Sequence, residues 1–279
     1  MPKVSVLTSI YNTNHEHLRE MIESVLNQTF RDFEFLILND SPENVELDSI
    51  VKSYKDKRIV YMKNAKNMGI SGSRNKLLHL AKGEYLAILD HDDVCMPDRL
   101  KREVEFLDSH PDVGVVSAWV RVFGTRSAIW QNPETDYEIK SLLTNQCAMW
   151  HTAAMIRRSV LFDNEIEYES YFSPAEDYRL WTRLMDVTNF YNIPDVLVRY
   201  RWSGDNTSIH QKHRMMEKDS DIKLAVREKH PYFWYLHRHD CSTDTVLRLY
   251  LFGFLPIIKV KKNWVKLFGF IPLFKIKWE

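Results

Sequence analysis

Two aspartates one residue apart, Asp90 and Asp92, end the apolar run at residues 85–89. Carboxylates at that spacing can converge on one hard divalent cation. Mg²⁺ or Mn²⁺ prefers oxygen ligands and keeps phosphate oxygens as co-ligands. The implied chemistry is a cation bridging to a diphosphate. The triplet also fits a solvated loop with capping aspartates, because Pro97-Asp98 opens a helical stretch. Placement favours the ligand role, since a greasy strand runs straight into Asp90-His91-Asp92-Asp93.

The surrounding elements explain how such residues could meet. "KVSVLTSIY" is rich in β-branched residues and reads as a strand buried on both faces, stopping at Asn12-Thr13-Asn14. Leu18, Met21, Ile22, Val25 and Leu26 then recur at helical spacing. "FEFLILND" is a second strand ending at Asp40, residues 45–54 are helical, and "RIVYMKN" is a third strand. "GISGSRNKLLHLA" turns helical after its glycines, and "GEYLAILD" is the next strand. Strands alternating with helices predict an α/β fold with a mostly parallel sheet. Ligands bind outside the carboxyl ends of such strands. Asn12, Asp40 and Asp90 each follow a strand end, so they are expected around one crevice.

Further on, "DRLKREVEFLDSH" reads as a helix and "VGVVSAWVRVFG" as a strand. Residues 131–147 read as a loop with a short helix, and "AAMIRRSVLF" as a strand with a turn. "PAEDYRLWTRLMDV" is a helix with Pro174 near its start, "VLVRYRW" a late strand, and residues 212–228 a charged helix.

Composition narrows the function. Lysine plus arginine balances aspartate plus glutamate at 38 each, which gives no support for a nucleic-acid partner. Three scattered cysteines, Cys95, Cys147 and Cys241, suit a reducing compartment and no cysteine zinc site. "MPKVSVLTSIYN" lacks the basic and apolar regions of a signal peptide, and no apolar run reaches the roughly 18–20 residues of a membrane span.

The chain resembles the family 2 glycosyltransferases of the GT-A fold, of the bacterial surface-polysaccharide or lipooligosaccharide type. "VSVLTSIYN", "SVLNQTFRDFEFLILND", "NMGISGSRNKLLHLAKGEYLAILDHDDVCMPDRL" and "AEDYRLW" stand in that family's order and spacing, over about residues 3–205. The resemblance implies a nucleotide diphosphate sugar donor, most often a UDP-sugar. It places Tyr11 against the base with Ser9 beside it, and Asp40 as the acid that accepts from the base. Asn67, Gly69 and Arg74 would face the donor. A guanidinium there can clamp phosphate or ribose oxygens. Gly69 and Gly72 let backbone approach closely or simply form the turn. Asp90 would contact ribose or metal, His91 would fill the middle position, and Asp92 would be the main metal ligand.

Asp177 would be the general base, taking the proton of an acceptor hydroxyl that attacks the anomeric carbon in one inverting displacement. Glu176, His151 and Asp93 would lie on the acceptor side, with Asp93 alternatively fixing the loop. The same stretches also fit plainer roles: Tyr11 as a strand-end core residue, Asp40 as the start of a turn, Arg74 as a helix-surface arginine, and Asp177 as a first-turn acid favoured by the helix dipole. Many relatives carry a histidine two residues after the late "YR" arginine. Here Ser203 stands there and His210 follows later, leaving the third protein ligand of the metal open.

The expected division is a GT-A domain over residues 1–210, with a nucleotide-sugar half at 1–93 and an acceptor half at 94–210, and a helical, amphipathic extension at 211–279. That tail repeats itself, "LFGFLPIIKVKKNWVK" then "LFGFIPLFKIKW". Trp264 and Trp278 among Lys259, Lys261, Lys262, Lys266, Lys275 and Lys277 predict a segment lying on an anionic membrane surface. A tail packed on the domain or in a dimer contact is the alternative. The expected enzyme is a metal-dependent inverting hexosyltransferase, cytoplasmic and peripheral on the inner face of the cell membrane, with a glycan or lipid-linked saccharide acceptor. One rival is a sugar-nucleotide pyrophosphorylase, disfavoured because "TSIYNTNHEH" lacks a glycine-rich phosphate loop. The other is a non-catalytic sugar-nucleotide-binding scaffold on the membrane.

Overall fold

Apolar residues alternate between two faces along the first strands, and that alternation sets the layers. In β1 (Val4–Ile10), Val4 and Val6 join one apolar cluster while Leu7 joins the other. Helix α1 (His15–Leu26) follows. In β2 (Phe33–Asn39), Phe35 and Ile37 separate in the same way from Leu36 and Leu38. After α2 (Val45–Ser53), β3 (Ile59–Lys63) and α3 (Gly69–Leu80), strand β4 (Tyr85–Ile88) repeats the division, Tyr85 and Ala87 against Leu86 and Ile88. Both faces of the sheet are therefore greasy and both are covered by helices.

The structure is a computed structural model that describes residues 1–204 and 206–239, with the backbone of 246–251, 255–261, 264–267 and 271–275. The chain continues through β5 (Val94–Cys95), α4 (Arg99–Ser109), β6 (Val113–Gly124), β7 (Ala128–Trp130), α5 (Asp136–Leu143), β8 (Met155–Arg157), α6 (Arg158–Phe162), α7 (Glu176–Leu184), β9 (Asn189–Trp202), α8 (Thr207–His210), α9 (Lys212–Lys229) and α10 (Pro231–His239). The main sheet runs β3-β2-β1-β4-β8-β6-β9-β5, with β7 added to β6. Strands β1 to β4 are parallel, β8 is antiparallel to both β4 and β6, and β6 and β9 are parallel. The expected mixed α/β architecture is the one found.

Helices α1, α2 and α4 cover one face through residues such as Ile22, Val51 and Val104. Helices α3, α5, α7 and α9 cover the other through Leu77, Ile139, Trp181 and Ile222. Asn14 starts α1 by accepting from the backbone N–H groups of Glu16 and His17, four residues after β1 ends at Ile10.

Three elements differ from expectation. Residues 158–162 form helix α6, not a turn. Strands β5 and β7 were not legible, being two and three residues long, and β7 also carries exposed residues. The division at residue 210 cuts across packing, because Ile222 and Val226 of α9 lie in the same cluster as Trp181, and Arg227 Nε donates to the Thr144 carbonyl at 2.9 Å. Helices α9 and α10 thus belong to the core of the first unit.

Beyond them the backbone is strand, not helix: β10 (Val246–Leu251), β11 (Leu255–Lys261), β12 (Trp264–Leu267) and β13 (Ile271–Lys275) form an antiparallel sheet. The sequence repeat is a repeated hairpin. Each hairpin shifts register beside a proline pair, Tyr250 opposite Pro256 and Lys266 opposite Pro272, because proline has no N–H to give the ladder. The expected roles of the tail side chains, and Trp278, Lys262 and Lys277 altogether, lie outside the described residues. Among the described residues, no helix is long and apolar enough to cross a membrane.

Candidate active site

The carboxyl ends of β1 and β2 open into a cleft of about 490 Å³, lined by Tyr11, Asn12, Asp40, residues 41–46 and Asn67. Tyr11 is half exposed, offering its ring. Asn12 takes a left-handed φ of 44° and its N–H donates to Ser41 Oγ at 2.7 Å, tying the two strand ends together. Asp40 is nearly buried. Its Oδ1 accepts from Asn64 Nδ2 at 2.7 Å and from the Met68 N–H at 2.8 Å. Asn67 Oδ1 accepts from the Gly69 N–H at 2.8 Å. Gly69 sits at φ +72° with open space where a Cβ would stand, so the conformation, not crowding, requires glycine. Gly72 instead packs within α3, where a Cβ would lie 3.2 Å from Met68 Cβ.

A second focus lies along the sheet. Arg74, on α3, is 11% exposed and forms two ion pairs: Nη1 to Glu176 Oε1 at 2.6 Å and Nη2 to Asp90 Oδ1 at 2.9 Å. It is therefore not a surface arginine. Ser9, Arg74, Asp90 and Tyr168 line a small cavity there. His151 Nδ1 lies 3.7 Å from Asp90 Oδ1, and its Nε2 meets the Tyr168 hydroxyl at 2.9 Å. Burial alone would raise the Asp90 carboxyl, but the Arg74 guanidinium and His151 hold it well below the usual carboxylate range.

Glu176 and Asp177 both start α7 and divide in character. Glu176 is buried and paired with Arg74. Asp177 is partly exposed, and among the described residues its Oδ1 accepts only from the Tyr178 N–H, at 2.7 Å. Burial and the neighbouring Glu176 charge raise the Asp177 carboxyl.

The acidic loop is pinned from β9. Asp93 is fully buried and its Oδ1 accepts the Arg201 N–H at 2.7 Å. Arg201 Nε donates to the Asp92 carbonyl at 2.7 Å, and its Nη2 pairs with Glu20. Asp92 keeps its carboxyl partly exposed, raised by burial and by Asp90 while His91 opposes. Buried atoms without hydrogen-bond partners gather here: His91 Nδ1, Asp93 Oδ2, His151 Nδ1 and Glu176 Oε2. Each such atom calls for an explanation in a folded protein, and ten more lie elsewhere among the described residues. His210 ends the short α8 on the surface. Among the described residues, no three His, Cys, Asp or Glu side chains cluster as a metal site.

The arrangement matches a sequence family. A family model for Glycosyl transferase family 2 covers residues 5–163, more than half of the chain. The chain belongs to glycosyl transferase family 2. This family 2 chain is 34% identical to an uncharacterized glycosyltransferase of Methanocaldococcus jannaschii over 84% of both chains. It is 27% identical to the amylovoran biosynthesis glycosyltransferase AmsE of Erwinia amylovora, over 80% of this chain and 86% of the other. Among solved structures, S. aureus TarS 1–349 in complex with UDP-GlcNAc superposes with a TM-score of 0.66 at 21% identity, over 79% of this chain and 65% of that one. The mannosyltransferase PcManGT of Pyrobaculum calidifontis, in complex with GDP-Man and Mn²⁺, gives 0.58 at 16% identity, over 86% and 74%. These likenesses show the GT-A fold. Family membership sets aside the pyrophosphorylase reading.

Sequence reasoning passed over Asn64, Tyr168 and Arg201. Asn64 follows β3 just as Asp40 follows β2, so the strand-end rule would have found it. Tyr168 sits in a loop without periodicity, and nothing in its neighbourhood signals that it meets His151.

Proposed function

We propose that this glycosyltransferase moves a sugar from a UDP-sugar to a hydroxyl of a growing glycan or lipid-linked saccharide, with inversion at the anomeric carbon. The observation that carries the reading is the Arg74 bridge. It joins Asp90, just past β4, to Glu176 at the start of α7, 102 residues from Arg74 in the chain, and Asp177 is the next residue after Glu176.

Tyr11, Asp40 and Asn67 hold the nucleotide in the cleft at the ends of β1 and β2. Arg74 cancels the charge of Glu176, which leaves Asp177 as the basic member of the pair. Asp177 takes the proton of the acceptor hydroxyl as that oxygen forms its bond to the anomeric carbon. The bond from that carbon to the diphosphate breaks, and the diphosphate leaves with the electron pair.

The donor set suits Mg²⁺ or Mn²⁺ in kind, being oxygen only, with the Asp92 carboxyl poised to gain from a nearby positive charge. It does not suffice in number, since Asp90 Oδ1 already serves Arg74. Asp92 and Asp90 would hold the cation with diphosphate oxygens as co-ligands, and it would offset charge on the departing diphosphate. The relative AmsE is named for amylovoran biosynthesis, which supports a polysaccharide-type acceptor.

The test is release of free UDP from a panel of UDP-sugars with Mn²⁺, followed by assignment of the product anomer by NMR. Turnover of one donor to an inverted product is expected. Calorimetry showing no binding of UDP with manganese would sink the reading together with the scaffold alternative, whereas binding without turnover of any donor would favour the scaffold.

A further inference from the structure

Beside the acidic loop, a satellite apolar cluster built on Val120, Ala153 and Val198 is covered by aromatic rings. Trp130 stacks on Trp150 with centroids 5.3 Å and planes 20° apart. Trp202 meets Trp130 edge-on at 5.5 Å, and Tyr200 lies 5.8 Å from Trp130 and 6.3 Å from Trp150. All four rings stay partly exposed. Strand pairing gathers them from three separate segments. Trp130 on β7 lies opposite Val120, while Tyr200 and Trp202 on β9 lie opposite Val122 and Gly124.

The rings border the reaction centre. Trp150 directly precedes His151, whose Nδ1 stands 3.7 Å from Asp90. Tyr200 directly precedes Arg201, which pins Asp92 and Asp93. After burial, the charges of Asp93, Asp90 and Asp92 are what raise the Tyr200 phenol.

A flat, partly exposed stack beside carboxylates suits a molecule that is apolar on one face and polar at its edge. A pyranose has an apolar C–H face and a rim of hydroxyls. Polar groups at the stack match that rim. The exposed Arg126 guanidinium lies 4.7 Å over Trp202, and the Trp150 Nε1 N–H, buried beneath the stack, has no acceptor among the described residues. An acyl chain would use neither group and would lie against charge.

We propose that Trp130, Trp150, Tyr200 and Trp202 form a platform on which the saccharide acceptor stacks by its apolar ring face, presenting a hydroxyl to the acid centre. The proposal rests on the glycosyl-transfer reading and names the acceptor chemistry of the same site.

Tryptophan fluorescence tests it with methyl glycosides of glucose, galactose and N-acetylglucosamine, and with maltose and cellobiose, against dodecylphosphocholine below its micelle concentration. A saturable response to at least one saccharide is expected, retained in Trp130→Phe and weakened about tenfold in Trp130→Ala. Trp202→Leu, which keeps apolar bulk without a flat face, guards against loss of fold and should weaken it likewise. With a UDP-sugar that turns over, Trp150→Ala should raise the saccharide KM about tenfold more than the donor KM. A response to the lipid probe alone, or an equal rise in both KM values, overturns the platform. If no UDP-sugar turns over, the donor reading fails, and the saccharide titration still decides the platform.

Discussion

The strand-end cleft and the acid centre lie on one sheet and are built by opposite means. The cleft is assembled from neighbours in the fold's simplest unit, the ends of β1 and β2 and the start of α3, through short hydrogen bonds to backbone such as Asn12 to Ser41 and Met68 to Asp40. The acid centre is held by charge between distant segments, Arg74 with Asp90 and Glu176, and Arg201 with Glu20 and the acidic loop. A local construction tolerates loss of one bond. A charge network does not, because an unpaired buried charge is left behind.

The largest effect should come from the acid centre. Asp177→Asn is expected to lower kcat about 10³-fold while donor affinity changes little, measured by steady-state UDP release. Turnover near the wild-type rate would dismiss Asp177 as the base. As the proposed base, Asp177 would work in its charged form, and its carboxyl is raised above the ordinary 3.8, so the rate should fall with falling pH through that raised value. The acid limb of the kcat profile should therefore begin above the pH of an ordinary aspartate and vanish in Asp177→Asn.

Arg74→Ala should destabilise the fold by about 3 kcal/mol or more, because Glu176, 4% exposed, loses its partner. Thermal melting near the wild-type temperature would show that the network is not held by charge. In the cleft, Asp40→Ala should weaken UDP binding by only about tenfold in calorimetry, since it removes one acceptor shared by two donors. The smallest effect belongs to Gly69→Ala, about 1 kcal/mol of stability from the left-handed backbone alone, because nothing stands within 4 Å of the added methyl. If the cleft variants cost as much as the acid-centre variants, the contrast between the two regions is void.

What could be read from the sequence follows the same division. Alternation in "VSVLTSI" and "FEFLILN" predicts buried strands, and the residue after each strand end predicts the crevice, because both rest on contacts close along the chain. Helix α6 was misread because a five-residue helix cannot show a period, and the hairpins of the tail stay hidden because its lysines and aromatics fit an amphipathic surface equally well. The division at residue 210 follows a change in composition, and charged α9 hides the few apolar residues, Ile222 and Val226, that pack with the core.

By itself the sequence determined the layered α/β fold, the strand-end placement of Tyr11, Asp40 and Asp90, and the family. Tertiary structure alone decided which carboxylate is paired with Arg74 and which is left partly exposed, and which rings stack beside the acidic loop. Those outcomes depend on distances between segments as many as 102 residues apart in the chain, as between Arg74 and Glu176. Burial and charge act through space, and spacing along a chain does not encode them.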